Sequence, residues 1–412
     1  MNSENKLNLF TRLNPEFLRK AGRVSLLVLW ASFSFSSALS EISFVAALLF
    51  WFAWKIGAKS PQVSLPKTVL VLLGAFLGWC TLSIFWSEAR PQSMRGIFKI
   101  GQQVMIFLMT ADTFRQEAEL KMWEKLFIGM LLITVLDAAF QGFTGKDFLR
   151  HIAAQSSGAG IRLSASFKTY GLLGCYLILT LPVVYMAALR AWRLKSSFAL
   201  SLGLLILFLA GSTVLFFTKS RGALLAFAAG FIFLLFYFKN WRLFLFAAFL
   251  AAASFWVLPK SMLIHLDAEQ KEQSLVERYY LWDRAVSVIR AKPLTGTGIN
   301  TYAVAHQRYD TTKNWRVRNY YAHNGYLQMG AETGLPGLLL FFAFLFCYFR
   351  WIFSRMAQKK EKGSATGILP LGILTALISF MAFAMVDTVL HNEQAAMTFW
   401  YLLGLQAAYL SP

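Results

Sequence analysis

One histidine and three arginines are the residues here whose type and setting could move a charged, activated group. The histidine heads a polar run, His323-Asn324-Gly325-Tyr326-Leu327-Gln328-Met329-Gly330-Ala331-Glu332-Thr333-Gly334-Leu335-Pro336-Gly337. Its imidazole titrates near neutral pH, so it can take a proton from an attacking hydroxyl. Arg162, Arg221 and Arg278 lie at the ends of apolar stretches or between them. A guanidinium stays charged and grips phosphate oxygens two at a time. One base opposite cations that neutralise a departing anionic group describes a single displacement with inversion. Many sugar transferases instead neutralise that charge with a metal held by Asp-x-Asp. No aspartates in this chain have that spacing, and there is no His-Glu-x-x-His. Metal-free chemistry with no cofactor is therefore the expectation.

Each of these residues also has a plainer role available. His323 alone could simply cap a helix. An arginine near a membrane surface can be an interfacial anchor, and that reading suits Arg90, Arg95 and Lys260. Arg221 differs because Ser220, Gly222 and Ala223 around it are small and admit a ligand to the backbone. The start of the apolar run 222–238 also offers free N–H groups and a positive dipole end. Arg278 adjoins Glu277, but neighbouring helix positions do not face each other, so the pair is not self-neutralising. Arg162 stands in a loop and fits either role. Asp112 and Asp137 fall in or near apolar runs, where acids either function or pair internally. Asp387 and His391-Asn392-Glu393 could flank an acceptor site or form a solvated turn, and the turn is the reading preferred; Glu117 and Glu119 read as a solvated pair. His151, His265 and His306 stand in no motif.

The elements that must position these residues are membrane helices. Of 412 residues, 57% are hydrophobic and only 15% charged, against about 25% charged in soluble domains. About twelve spans can be drawn, within 23–39, 42–57, 68–86, 97–113, 126–142, 169–189, 197–217, 222–238, 242–258, 335–353, 366–386 and 395–410. The first two would form a hairpin about Ser40 and Glu41. The net charge of +20 is scattered through loops, with no basic run or basic helix to hold nucleic acid. It suits anionic lipid instead. Cys80, Cys175 and Cys347 all lie in apolar runs, with no zinc or disulfide spacing. The first span is expected to stay rather than to be cleaved as a signal.

Short-loop charge sets the orientation. Arg12, Arg19, Lys20 and Arg23, the loops with Lys55 and Lys59, Arg190 and Arg193, Lys239 and Arg242, and the segment with Arg350 and Arg355 all fall on one side, with both termini. Segments 87–96, 143–168 and 259–334 fall on the other, with Arg90 and Arg95 against the rule. The chain thus divides into a membrane bundle (1–258), an outer cap (259–334) and closing membrane helices (335–412). Within the cap, a helix is expected over 267–291, ended by Pro293. A turn follows at Gly296-Thr297-Gly298, then a short helix over 300–308. A second short helix over 324–333 should break at Gly334, which tolerates positive φ. Pro336 would then start the next span.

The pattern H-N-x-x-L-x-x-x-x-E-x-G-x-x-G from His323 to Gly337 resembles the signature of the O-antigen ligase and polymerase superfamily. Ser220-Arg221-Gly222-Ala223, Glu277-Arg278-x-x-x-Trp282 and Arg162-x-x-x-x-Phe167 stand in the family's order. The family's Asn-Pro-Asn after the Phe is replaced here by Lys168-Thr169-Tyr170. The resemblance covers roughly residues 160–340. It implies an all-α, polytopic protein of the bacterial inner membrane, with cytoplasmic termini and a helical periplasmic cap. The implied activity is inverting, metal-independent transfer of a glycan from undecaprenyl diphosphate to a lipid A-core hydroxyl. His323 would be the base, with Arg221, Arg278 and Arg162 on the diphosphate. An O-antigen or capsule polymerase would use the same donor, and a protein oligosaccharyltransferase would carry extra C-terminal length. A solute or lipid-linked-glycan transporter would show paired halves and broken spans, and neither is evident.

Overall fold

A computed structural model describes residues 14–59, 63–157, 160–239, 268–310, 321–361 and 368–411. It consists of α1 (Pro15–Ser32), α2 (Ser37–Gly57), α3 (Lys67–Leu82), α4 (Arg90–Thr113), α5 (Glu117–Thr144), α6 (Tyr170–Arg193), α7 (Phe198–Phe217) and α8 (Arg221–Phe238). After these come α9 (Ala268–Ala291), α10 (Tyr302–Ala305), α11 (Gly325–Glu361), α12 (Ile368–Phe383) and α13 (Glu393–Leu410). The chain departs from all-α in a short antiparallel pair, β1 (Gln155–Ser157) with β2 (Gly160–Arg162), and in one antiparallel bridge between Lys146 and Ala153. Side-chain caps start many of the helices. Asn14, Ser36, Thr169, Ser197, Ser220 and Asn392 each accept a first-turn N–H.

Among the described residues, seven helices are long and apolar enough to cross a membrane. The expected spans fall on helices, except that 23–39 straddles the turn between α1 and α2 and 242–258 lies outside the described residues. The first hairpin turns earlier than expected, at Phe33–Ser36. Ser36 takes the N-cap of α2 by accepting from Leu39 N, and this carries Ser40 inward to meet Ser32, Oγ to Oγ at 2.8 Å. Helix α4 begins at Arg90, seven residues before the expected span. Helix α6 is central, packed by α7, α8, α12 and α13.

One end of the bundle gathers cations around two buried acids. Arg19 and Arg23, one turn apart on α1, both pair with Glu119. That glutamate also closes the capping box that starts α5. The expectation of a solvated pair therefore holds for Glu117 and fails for Glu119, which is 5% exposed. Asp112 pairs internally with Lys55 and Arg115, both at 2.5 Å. Asp137 is buried and accepts from Phe148 N and Leu149 N, so it shapes the loop after α5.

The other end carries the cap. Helix α9 packs on α11, with Ala285 and Val288 buried beside Tyr302, Ala322 and Ala331. Helix α11 breaks at Gly334, where φ is 69° and ψ 177°, and Pro336 follows. The carbonyls freed by this break all find donors, as buried backbone groups must. Ala331 O accepts from Thr297 N, Glu332 O from Gly298 N, and Thr333 O from the Trp79 indole at 2.7 Å. The 293–298 loop thus runs along the break. A Cβ on Gly334 would lie 2.4 Å from Leu294 O. Its dihedral region is open essentially to glycine alone, and leaving it costs about 1–3 kcal/mol. Gly334→Ala should therefore lower the thermal midpoint of the purified protein by at least that equivalent. An unchanged unfolding curve would mean that the break is dispensable.

Candidate functional site

His323 does not cap α11. Asn324 does, its Oδ1 accepting from Tyr326 N at 3.1 Å and Leu327 N at 3.0 Å. His323 stands one residue outside, with φ +48°. That left-handed conformation is uncommon off glycine, though histidine is among the residues enriched there. Its carbonyl accepts from the Trp282 indole at 3.3 Å, which ties it to α9. Gly325 N donates to Ala384 O at 2.7 Å and Asp387 O at 3.1 Å, which ties it to the end of α12. Three elements thus fix the backbone from which the imidazole projects. Its Nδ1 lies 3.5 Å from Asp387 Oδ1, and the histidine side chain is 34% exposed. That separation allows charge attraction but is longer than a formed hydrogen bond, and Nδ1 has no hydrogen-bond partner. Catalytic hydrogen bonds often tighten only when substrate binds.

The reading of Asp387 and His391 as a solvated turn is overturned. Residues 384–392 fold back beneath the start of α11 through the Gly325 bonds. This brings Asp387 to His323, and His391 Nε2 to 3.4 Å from Glu332 Oε2. The acid and histidine lie far along the chain from their partners, so spacing could not reveal the pairing. The signal available was a four-residue step from Asp387 to His391 inside an apolar region. Glu332 itself is 1% exposed. It accepts from Asn300 N at 2.7 Å, Tyr302 N at 3.1 Å and Gln328 Nε2 at 3.1 Å. The motif's glutamate thus holds the cap loop against the broken helix.

Two of the three arginines share one rim. Arg221 is the first residue of α8, exposed, behind the Ser220 cap. Gly222 beside it packs so closely on Phe383 and Val386 that a Cβ would lie 2.9 Å from each. That seats Arg221 against the segment leading to Asp387. Arg162 ends β2, and Leu163 N donates to Phe217 O at 3.1 Å, bringing this loop to the turn before α8. The Arg162 guanidinium lies over the Tyr170 ring at 4.7 Å, and its Nε is buried without a hydrogen-bond partner. Lys219, in the turn, joins them: burial and then the charge of Arg162 push its pKa down. A bound anion would relieve that repulsion. Arg278 lies elsewhere, half-buried on α9, one turn before the Trp282 that holds the His323 carbonyl.

Other histidines fit a base less well. His306 is buried, stacked on Tyr302 and bonded to Arg284, and burial followed by the Arg284 charge pushes its pKa down to about 4. His265 lies outside the described residues.

Residues 204–342 match the family described as O-Antigen ligase. That stretch contains Arg221, Arg278, His323 and Glu332, and leaves Arg162 and Asp387 outside. The chain is also 23% identical over 168 residues to the exopolysaccharide production protein ExoQ of Rhizobium meliloti (strain 1021), covering 38% of each chain. The alignment therefore spans well under half of that relative's length. Together with the apolar helices, these matches describe a multi-pass bacterial membrane protein that carries a stretch similar to the O-antigen ligase family.

Proposed function

We propose that this protein transfers a glycan from undecaprenyl diphosphate to a saccharide hydroxyl, the hydroxyl of a lipid A-core in the ligase reading. The observation that carries this is the seating of His323 against Trp282 and Asp387, with Val386, next to Asp387, packed on the Gly222 beside Arg221. In the step, the acceptor oxygen bonds to the anomeric carbon and its proton passes to His323 Nε2. The bond from that carbon to the phosphate oxygen breaks, and its electron pair leaves with the carrier diphosphate. Asp387 favours the tautomer with the proton on Nδ1, which leaves Nε2 free to accept. Arg221 and Arg162 receive the diphosphate charge at the α8 N-terminus. Arg278 approaches from the cap. Attack opposite the leaving group inverts the anomeric centre.

In this reading the site faces the periplasm from the inner membrane. The Arg19, Arg23, Lys55 and Arg115 cluster at the far end of the bundle faces the cytoplasm, in accord with the excess of lysine and arginine on that side. The likeness to an exopolysaccharide production protein favours a second reading, in which the acceptor is another glycan and the product a longer polymer. The test is purified protein in detergent with carrier-linked glycan and either acceptor. Bond formation that survives EDTA is expected, because the sequence has no Asp-x-Asp spacing. Activity lost on chelation and restored by magnesium would overturn the metal-free account. Flux across vesicles with no new glycosidic bond would overturn the enzyme.

A further inference from the structure

A cavity of about 330 Å³ has Asp387 in its lining, without Arg162, Lys219 or Arg221, and falls in the size range of small-molecule sites. The first turn of α2, the start of α6 and the 387–397 turn enclose it, with Tyr321 at its wall. Its charges balance: Lys99, Arg150 and Lys168 stand against Glu41, Asp387 and Glu393. Hydroxyls and amides of Ser37, Thr169, Thr388, Asn392 and Gln394 fill the rest of the polar lining. The rim, by contrast, brings together Arg162, Lys219 and Arg221. A diphosphate belongs on the cationic rim. A balanced, hydrogen-bonding cavity suits an uncharged polyhydroxyl.

Two carboxyls mark this cavity out. Glu41 and Glu393 both line it. Gln102 Nε2 donates to Glu41 Oε2 at 2.9 Å, and Lys99 Nζ lies 4.0 Å from Glu393 Oε2. The two carboxylates therefore offer acceptor oxygens held by neighbours, which suit the adjacent hydroxyls of a sugar. Tyr321, 47% exposed and two residues before His323, supplies an apolar ring face for the C–H side of a sugar. Asp387 lines the cavity and also faces His323, so the cavity adjoins the residue proposed as base.

We infer that this cavity is the subsite for the acceptor saccharide, and that the Glu41–Glu393 pair reads its hydroxyls. This rests on the transferase reading for its place in the reaction, but binding can be measured without it. In the transfer assay, Glu41→Gln and Glu393→Gln should raise the acceptor KM about tenfold, the worth of a charged hydrogen bond. The donor KM and kcat should stay within about twofold, since neither residue reaches the rim. A rise in donor KM instead would place the donor in the cavity. No change in either KM, or a loss of thermal stability alone, would reduce the pair to a tie between α2 and α13. In parallel, saturation-transfer NMR on the full protein would use delipidated core oligosaccharide as probe, with no donor present. Contacts with wild type that fade in Glu41→Gln support the inference even if transfer is never observed. Absence of contacts with wild type overturns it even if transfer proceeds.

Discussion

His323→Ala should retain expression and carrier-diphosphate binding but lose turnover by about 10²–10⁴-fold, the usual worth of a positioned general base. The argument is geometric. Asn324 does the capping, so removing the imidazole leaves α11 its N-terminal hydrogen bonds. The Trp282 bond goes to the His323 carbonyl, which alanine keeps. The loss should therefore fall on chemistry, with the thermal midpoint little changed. Asp387→Asn separates orientation from proton transfer. Its side chain can still approach Nδ1, but without charge, so a smaller fall of roughly 10–10²-fold is expected from one weakened charged interaction. A structural role for Asp387 would lower stability and leave the pH profile in place. A positioning role should shift the limb of the profile set by the imidazole. Ligation by purified His323→Ala near the wild-type rate would remove the base from the account.

Local rules made the cap readable before any coordinates. Gly334 and Pro336 announce the break in α11, Pro293 the end of α9, and Gly296 and Gly298 the turn between, because each residue type suits one backbone state. The spans were readable because apolar length is a bulk property. What could not be read was pairing at a distance. Asp387 meets His323, and His391 meets Glu332, only because Gly325 bolts α11 to the end of α12. Nothing local marks Glu119 as the partner of Arg19 and Arg23 from another helix. The cavity is a still later product, formed where α2, α6 and the 387–397 turn meet. Arg278 illustrates the opposite case: sequence order links it to the site, while the fold places it on α9, a turn away from the contact with His323.

Arg221→Lys should behave as a loss, weakening donor affinity or transition-state stabilisation by about tenfold or more. Arg221 begins α8, beside the Ser220 cap, and Gly222 presses the turn onto Phe383 and Val386. A diphosphate there would meet the helix N-terminus and the guanidinium together. Lysine keeps the charge but has no planar fork, so it holds one oxygen where arginine holds two. One charged hydrogen bond contributes roughly 1.5–3 kcal/mol, which sets the tenfold floor, and Arg221→Ala loses both bonds for about 10²-fold or more. Neither variant should unfold the protein, because Arg221 is exposed and Gly222 makes the packing contact. An interfacial anchor predicts otherwise, since lysine reaches the membrane surface as well as arginine does. Donor binding and initial rates for both variants, at matched protein levels, separate the cases. A lysine variant equal to wild type beside a defective alanine variant would mean that positive charge suffices and no two-oxygen grip exists. If both equal wild type, the diphosphate docks away from α8, and the unpartnered Arg162 Nε becomes the next residue to test.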